Sequence, residues 1–167
     1  MAMSIGITST LSGQGRVGVG GIAGGGIVAP LGLARETYDA GALALGALTI
    51  GRPASRLVFR GEAMYFRLPG EAVPDIDFPA IKVLAFTAGA EYRFGRMHAF
   101  AGLGPYNFQV GLPYARYDTR LGVHAGLGVS GTVWGVRAFA EVRGTVLIHA
   151  TKLPASAAFM TGVRIAR

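Results

Sequence analysis

The side chains best suited to chemistry are three histidines and the hydroxyl and carboxyl groups near them. His98, His124 and His149 are the only histidines, and the chain has no cysteine. A general base must lie within hydrogen-bond reach of its partner, roughly 3 Å. His124 and Ser130 share one face of a predicted strand, but six residues of strand span about 20 Å. This spacing predicts no catalytic pair.

The other candidates for a catalytic or metal site are weaker. His149 ends a predicted strand near a long connection, where Asp118 or Thr119 of another connection could approach it, and we expect a solvated or interfacial histidine there. Asp75 and Asp77 stand in a Pro-rich stretch that is more typical of a solvated turn than of a calcium site. The run GVGGIAGGG resembles a dinucleotide-binding fingerprint, but no helical pattern follows it. The sequence therefore predicts no catalytic residue, no metal site and no cofactor.

The composition indicates a lipid environment rather than a water-facing surface. Hydrophobic residues make up 51% of the 167 residues and charged residues only 15%, whereas soluble domains carry roughly 25% charged residues. A transmembrane helix would need an apolar run of roughly 18 residues, and the chain offers none. The formal net charge of +7 comes almost wholly from arginine. Because these arginines are scattered singly between apolar neighbours, we expect no nucleic-acid partner.

Residues 136–144, VRAFAEVRG, illustrate the dominant pattern. Arg137, Glu141 and Arg143 alternate with Val and Ala, as in a strand with two unlike faces. Segments that alternate in this way lie at 16–28, 40–50, 56–66, 80–94, 98–110, 120–133, 136–149 and 157–165. The connections between them are alternately long and short, which is typical of an up-and-down barrel. We expect residues 1–15 to form an N-terminal tail or partial strand before a barrel domain at 16–167.

The polar faces of these strands carry Gly, Ser, Thr and a nearly balanced set of Arg and Glu. An eight-stranded barrel has an interior only wide enough for side chains, and buried charges must be paired. We therefore predict that the polar face fills the lumen and that the apolar face meets lipid. Phe139 is an exception, because it shares the parity of the charged residues, and only packing in the lumen accounts for it. The predicted lumen charge network is Arg60, Glu62, Glu91, Arg93, Arg137, Glu141 and Arg143.

Two further groups of side chains are expected at the two ends of the barrel. Aromatic residues cluster near the connections, as in the girdles that flank the apolar band of membrane barrels. The predicted girdle residues are Tyr65, Phe66, Tyr92, Phe94, Tyr106, Phe108 and Trp134. Basic residues near the longer connections are candidates for contacts with lipopolysaccharide phosphates. These are Arg35, Arg67, Arg116 and Lys152.

Several stretches resemble the small bacterial outer-membrane β-barrel domains of the OmpA, OmpX and OmpW types. They are GVGGIAGGGIVAPLG (18–32), HAFAGLGPY (98–106), RLGVHAGLGV (120–129) and AFAEVRG (138–144). The resemblance covers roughly residues 16–167 and implies outer-membrane lipid and the outer-membrane assembly machinery as partners. Proteins of this type usually begin with a secretion signal and end in an aromatic residue. Here residues 1–15 show no signal peptide pattern, and Arg167 is the last residue.

The sequence thus predicts an all-β protein, an eight-stranded antiparallel up-and-down transmembrane β-barrel in the bacterial outer membrane. Both termini are expected on the periplasmic side, with four longer loops outside. The expected protein is a non-enzymatic monomer with a plugged lumen that acts in envelope integrity or surface interaction. One alternative is a soluble, lipocalin-like carrier whose apolar face lines a ligand cavity. Another is an outer-membrane enzyme with its active site at the rim.

Overall fold

Ten strands and one short helix make up the described part of the chain. The computed structural model describes residues 17–52, 54–70, 72–73, 76–110, 116–148 and 155–166. The strands are β1 (Gly18–Leu31), β2 (Gly41–Gly51), β3 (Leu57–Leu68), β4 (Ala72–Val73), β5 (Ile76–Asp77), β6 (Ile81–Phe94), β7 (Met97–Val110), β8 (Arg116–Val133), β9 (Val136–Leu147) and β10 (Ala155–Ala166). A 3₁₀ helix, Gly32–Glu36, follows β1. In this part of the chain, no helix is both long and apolar enough to cross a bilayer.

The eight long strands close into a single barrel. Their order around the ring is β1-β10-β9-β8-β7-β6-β3-β2, and β1 pairs with both β10 and β2. All neighbours are antiparallel, so the chain runs up and down around the ring. The short β4 and β5 form a separate two-stranded hairpin between β3 and β6. The predicted eight-stranded up-and-down barrel is confirmed.

The tight connections lie at one end of the barrel. Two residues link β8 to β9, Trp134 with φ 50° and Gly135 with φ 79°, and two positive φ values are typical of a type I′ hairpin turn. Gly95, with φ 68°, opens the turn from β6 to β7. A third connection, from β2 to β3, also lies at this end, where the Ser55 amide donates to the Arg52 carbonyl at 2.9 Å. We call this end the short-turn rim and the opposite end the long-connection rim.

The long-connection rim has internal order of its own. The Tyr38 amide donates to the Ala34 carbonyl at 3.0 Å, and Tyr38 forms an isolated bridge with Gly70. The Asp39 amide donates to the Pro69 carbonyl at 3.0 Å. Ala34 and Tyr38 are both buried and belong to the same apolar cluster as the inward side chains of the barrel. The connection after β1 therefore covers part of this end of the lumen.

Several strands extend further than the alternation predicts. β1 runs to Leu31 rather than 28, and β8 begins at Arg116 rather than 120. The added residues of β8 pair with the end of β7, for example Val110 with Arg116. The added residues of β8, Arg116 to Thr119, have no apolar alternation, so their side chains do not reveal whether the backbone is paired. The predicted tail at 1–15 lies outside the described residues.

Candidate functional site: the lumen and its rims

Alternation along the strands places the polar face inside the barrel, because a strand projects successive side chains to opposite faces. In β2, Leu45 and Thr49 are buried, whereas Leu48 and Ile50 on the other parity are exposed. The exposed set continues around the ring. It includes Phe59, Phe86, Leu103, Leu127, Val142 and Phe159. A monomer in water rarely exposes such a continuous apolar band, so this band is suited to lipid. The lipocalin-like alternative requires the opposite arrangement of the faces.

Ionisable side chains fill the half of the lumen nearer the short-turn rim. We call this set the lumen network. Its members come from β3, β6, β7, β8, β9 and β10 and are Arg60, Glu62, Glu91, Arg93, His98, His124, Glu141, Arg143 and Arg164. All except Arg93 are buried. Charges so far from water must be matched by opposite charges and hydrogen bonds.

Glu141 lies at the centre of the lumen network. Its Oε1 and Oε2 accept a two-pronged contact from Arg60 Nη1 and Nη2, at 2.9 Å each. Arg164 Nη2 lies 3.2 Å from Oε1, and His98 Nε2 lies 2.9 Å from the same oxygen. The side chain of Glu141 is fully buried. A planar guanidinium matches a carboxylate in this bidentate geometry, so Glu141 links β9 to three other strands across the lumen.

Glu62 and Arg143 form a second bidentate pair. Arg143 Nη1 and Nη2 donate to Glu62 Oε2 and Oε1, both at 2.7 Å. Glu62 also accepts from the Thr87 hydroxyl at 3.2 Å, and His124 Nε2 lies 3.2 Å away. Arg60 Nε is 2.6 Å from Glu62 Oε1, an ion-pair contact without hydrogen-bond alignment. This pair extends the network toward the middle of the barrel.

Glu91 binds three arginines at once. Arg164 Nη1 and Nη2 donate to its two oxygens at 2.7 and 3.0 Å. Arg60 Nη1 donates at 3.0 Å and Arg93 Nε at 2.8 Å. Buried Arg60, Arg143 and Arg164 balance the three buried glutamates, so half-buried Arg93 is an additional positive charge.

One aromatic side chain, Phe100, contacts two of the cations. The guanidinium carbon of Arg60 lies 4.3 Å from the centroid of the Phe100 ring, and that of Arg143 lies 4.8 Å from it. Phe139 is also inside, with Arg164 5.7 Å from its ring centroid. A ring face attracts a desolvated cation, so these phenylalanines stabilise the network as well as filling space.

One cluster in the lumen resembles a metal site in geometry. Glu91, His98 and Glu141 can bring one ligand atom each within 4.8 Å of one another. Both carboxylates, however, already receive bidentate contacts from Arg60 or Arg164. A divalent cation would have to displace these guanidinium groups, so the arrangement favours ion pairing over metal binding.

Apolar side chains fill the other half of the lumen, toward the long-connection rim. Side chains with almost no exposed surface include Phe66, Leu68, Ile81, Val83, Tyr106 and Met160. Three residues predicted for the aromatic girdle belong to this apolar plug. Phe66, Tyr106 and Phe108 are buried because their position along the strand points them inward. For these three the girdle prediction is wrong, since proximity to a connection does not fix the face.

The four other predicted girdle residues face outward. Tyr65 lies toward the long-connection rim, whereas Tyr92, Phe94 and Trp134 lie at the short-turn rim. Trp134 is 99% exposed. Tyr92 and Phe94 are neighbours on one face of β6, with ring centroids 6.2 Å apart. Their exposed positions match those of interfacial aromatics in membrane barrels.

The structure brings together six of the seven residues predicted for the charge network. The exception is Arg137, which is exposed at the short-turn rim and makes no ion pair with a described residue. Sequence reasoning missed Arg164, His98 and His124. Arg164 shares its inward parity with Met160 in β10, and that parity is the signal that could have identified it.

The structure describes only part of the predicted basic rim. Arg35 and Arg67 are exposed near the long-connection rim. Lys152 and the side chain of Arg116 lie outside the described residues, as does His149 of the rim-enzyme hypothesis.

Solved structures with a similar fold are barrels of bacterial surfaces. Neisserial surface protein A (NspA) matches with a TM-score of 0.55 and 19% identity, over 89% of this chain and 96% of that chain. The outer membrane protein OprG of Pseudomonas aeruginosa matches with a TM-score of 0.51 and 12% identity, over 90% and 96%. Ail, the attachment invasion locus protein of Yersinia pestis, matches with a TM-score of 0.51 and 14% identity, over 89% and 97%.

The sequence comparisons add nothing to this structural likeness. No protein-family model matches the chain, and no curated protein is significantly similar to it. The closed ring of eight strands agrees with the three solved structures, which are eight-stranded outer-membrane barrels. The chain therefore has the fold of the small eight-stranded outer-membrane β-barrels.

Proposed function

We propose that this protein is a non-enzymatic barrel of the bacterial outer membrane that acts at the cell surface and does not conduct solutes. The observation that carries the proposal is the filling of the lumen. Charged pairs occupy one half, and buried side chains such as Leu68, Val83 and Tyr106 occupy the other. Tyr38 covers part of the long-connection rim. A barrel filled in this way can interact with partners through its connections and its outer face, but it does not form an open channel.

The proposed orientation places the short-turn rim in the periplasm. Outer-membrane barrels have short periplasmic turns and longer extracellular loops. The start of β1 and the end of β10 both lie at the short-turn rim. Two of the similar structures are named for the cell surface or for attachment, which supports a role for the opposite rim in surface interaction or envelope integrity.

Electrical recording tests the plugged lumen directly. The purified protein, reconstituted in planar bilayers, should show no conductance steps above leak, with a known porin as the positive control. The heat-modifiable band of a folded barrel on a detergent gel verifies that the recorded sample is folded. Conductance steps well above leak from the unaltered protein would contradict the proposal.

We further propose that the long-connection rim contacts lipopolysaccharide through Arg35, Arg67, Arg116 and Lys152. Arginine recognises phosphate oxygens with two parallel donors. Reversal of all four charges to glutamate should weaken binding to lipopolysaccharide vesicles. For a matched comparison, Arg35 and Arg67 are also reversed as a pair, against the pair Arg56 and Arg96 at the short-turn rim. Unchanged binding by the fourfold variant would contradict this contact.

A strain that lacks the protein distinguishes the two proposed roles, envelope integrity and surface interaction. Increased sensitivity to detergents would indicate envelope integrity, whereas weaker attachment to surfaces with normal sensitivity would indicate adhesion. Restoration by the unaltered protein, but not by a variant with residues 69–79 replaced by a short Gly/Ser linker, would place the role in the β3–β6 connection. A normal strain in both assays would contradict the proposed function.

A further inference from the structure

A cavity opens into the barrel at the short-turn rim. Its volume is about 230 Å³, several times the roughly 30 Å³ that one water occupies in the liquid. Residues of β1 and β2, among them Gly20, Gly51 and Thr49, form one wall. Gly20 leaves this wall open, because a Cβ there would lie 2.7 Å from Thr49 Oγ1. The cavity has room for a small polyatomic ion.

Four arginines line this cavity, and none of the acidic residues that the structure describes lines it. They are Arg52, Arg93, Arg137 and Arg164. Arg52 and Arg137 are exposed and make no ion pair with any residue that the structure describes. Arg93 and Arg164 both contact Glu91, which also receives Arg60. Glu91 is thus already paired with three arginines. The arginines that line the cavity therefore give it an excess of positive charge.

Arg164 also has an unused donor. The residue is 9% exposed, and its Nε is buried without a hydrogen-bond partner among the described residues. A buried donor left unpaired costs roughly 1–3 kcal/mol. Its two terminal nitrogens are held by Glu91 and Glu141. Arg164 is therefore fixed in place at the cavity wall.

We propose that this cavity binds a phosphate group, either as a free phosphate ion or as the headgroup of a phospholipid. A tetrahedral oxyanion offers acceptors to several guanidinium groups at once, and arginine is the side chain best suited to such contacts. The position at the mouth, between the lumen network and the periplasm, leaves the site open to both sources of phosphate.

Calorimetric titration with inorganic phosphate tests the site. The test variant is R52Q/R137Q, because both side chains are exposed and neither belongs to the lumen network. The control variant is R56Q/R96Q, which removes two exposed arginines from the same rim that do not line the cavity. Binding should weaken about tenfold or more in the test variant, since each lost charged hydrogen bond is worth about one tenfold step or more. The control should bind as the unaltered protein does.

Nanodiscs then distinguish the two sources. If the affinity for inorganic phosphate is equal in phosphatidylglycerol nanodiscs and in maltoside micelles, which contain no phosphate, the site takes the free ion. If phosphatidylglycerol weakens phosphate binding and R52Q/R137Q removes that competition, a lipid headgroup reaches the site. Both results support the proposal. No saturable binding in any setting, or equal loss in the two double variants, would overturn it.

Discussion

Glu141 shows at the scale of single residues how much depends on one carboxylate. It contacts Arg60, Arg164 and His98 in a region without access to water. Removing one partner of a buried ion pair typically costs about 3–5 kcal/mol, because the other charge stays buried and unpaired. We expect Glu141→Gln to lower the free energy of unfolding by about this amount.

The matched control for Glu141→Gln is Asp118→Asn. Asp118 pairs with Arg120 at 2.8 Å, but both side chains are substantially exposed. Exposed pairs contribute about 0–1 kcal/mol, so this variant should be nearly neutral. Urea unfolding in phospholipid vesicles measures both. Equal losses in the two variants would contradict the claim that burial makes Glu141 important.

Phe100 provides a second test at this scale. The guanidinium groups of Arg60 and Arg143 both lie over its ring, and desolvated contacts of this kind are worth about 2 kcal/mol or more. Phe100→Leu keeps an apolar side chain but removes the ring, so it should destabilise the barrel by roughly that amount. Phe86→Leu, on the lipid-facing side, should change stability much less in the same vesicle assay. A smaller effect at Phe100 than at Phe86 would exclude a cation–π role.

The residue scale also shows how far sequence alone can predict the site. Parity along a strand identifies Arg60, Glu62 and Arg143 as lumen residues, because alternation is a local property. Parity does not reveal that Arg137 ends at the mouth while Arg164 reaches the network. That distinction depends on the depth of each residue along the barrel axis and on strand stagger, which no single segment encodes.

At the scale of whole strands, glycines determine how closely the barrel wall can pack against the side chains in the lumen. A Cβ added at Gly126 of β8 would lie 2.4 Å from both the Phe100 ring and the Val142 carbonyl. A Cβ at Gly144, on neighbouring β9, meets nothing within 4 Å. The first glycine is required by its surroundings and the second is not.

These two glycines form a matched pair for measurement. Gly126→Ala should destabilise the barrel by about 1–3 kcal/mol, as overpacking does in other cores. Gly144→Ala should be neutral or stabilising by up to about 1 kcal/mol, since it reduces the freedom of the unfolded chain. Unfolding free energies in vesicles compare them. Equal effects would show that backbone freedom, rather than space in the lumen, determines the outcome.

The elements themselves are the most predictable level of this structure. Eight alternating segments and alternately long and short connections sufficed to predict the ring. The alternation within each strand already indicates which side chains face the lumen and which face lipid. The β4–β5 hairpin and the first residues of β8 escaped prediction. β4 and β5 have only two residues each, and the first residues of β8 show no apolar alternation. In both places only backbone pairing distinguishes strand from loop.

At the scale of the whole molecule, Trp134 reports where the barrel sits in the bilayer. It is the only tryptophan, and it is fully exposed at the short-turn rim. Tryptophan is enriched at the membrane–water interface. In vesicles, its emission should be quenched more by lipids brominated near the headgroup than by lipids brominated near the chain end. Strong and equal quenching by aqueous acrylamide in vesicles and in denaturant would place this rim in water.

The path of the chain through the lumen network has a consequence for folding. Arg164 lies on the last strand, β10, whose pairing with β1 closes the ring. Before closure, three lumen glutamates face only two of their buried arginines, and the edges of β1 and β10 are unpaired. The hydrogen bonds between β1 and β10 and the contacts of Arg164 therefore form in the same step. We expect assembly to be cooperative, because a half-closed sheet would bring Glu91 and Glu141 into the membrane without their contacts to Arg164.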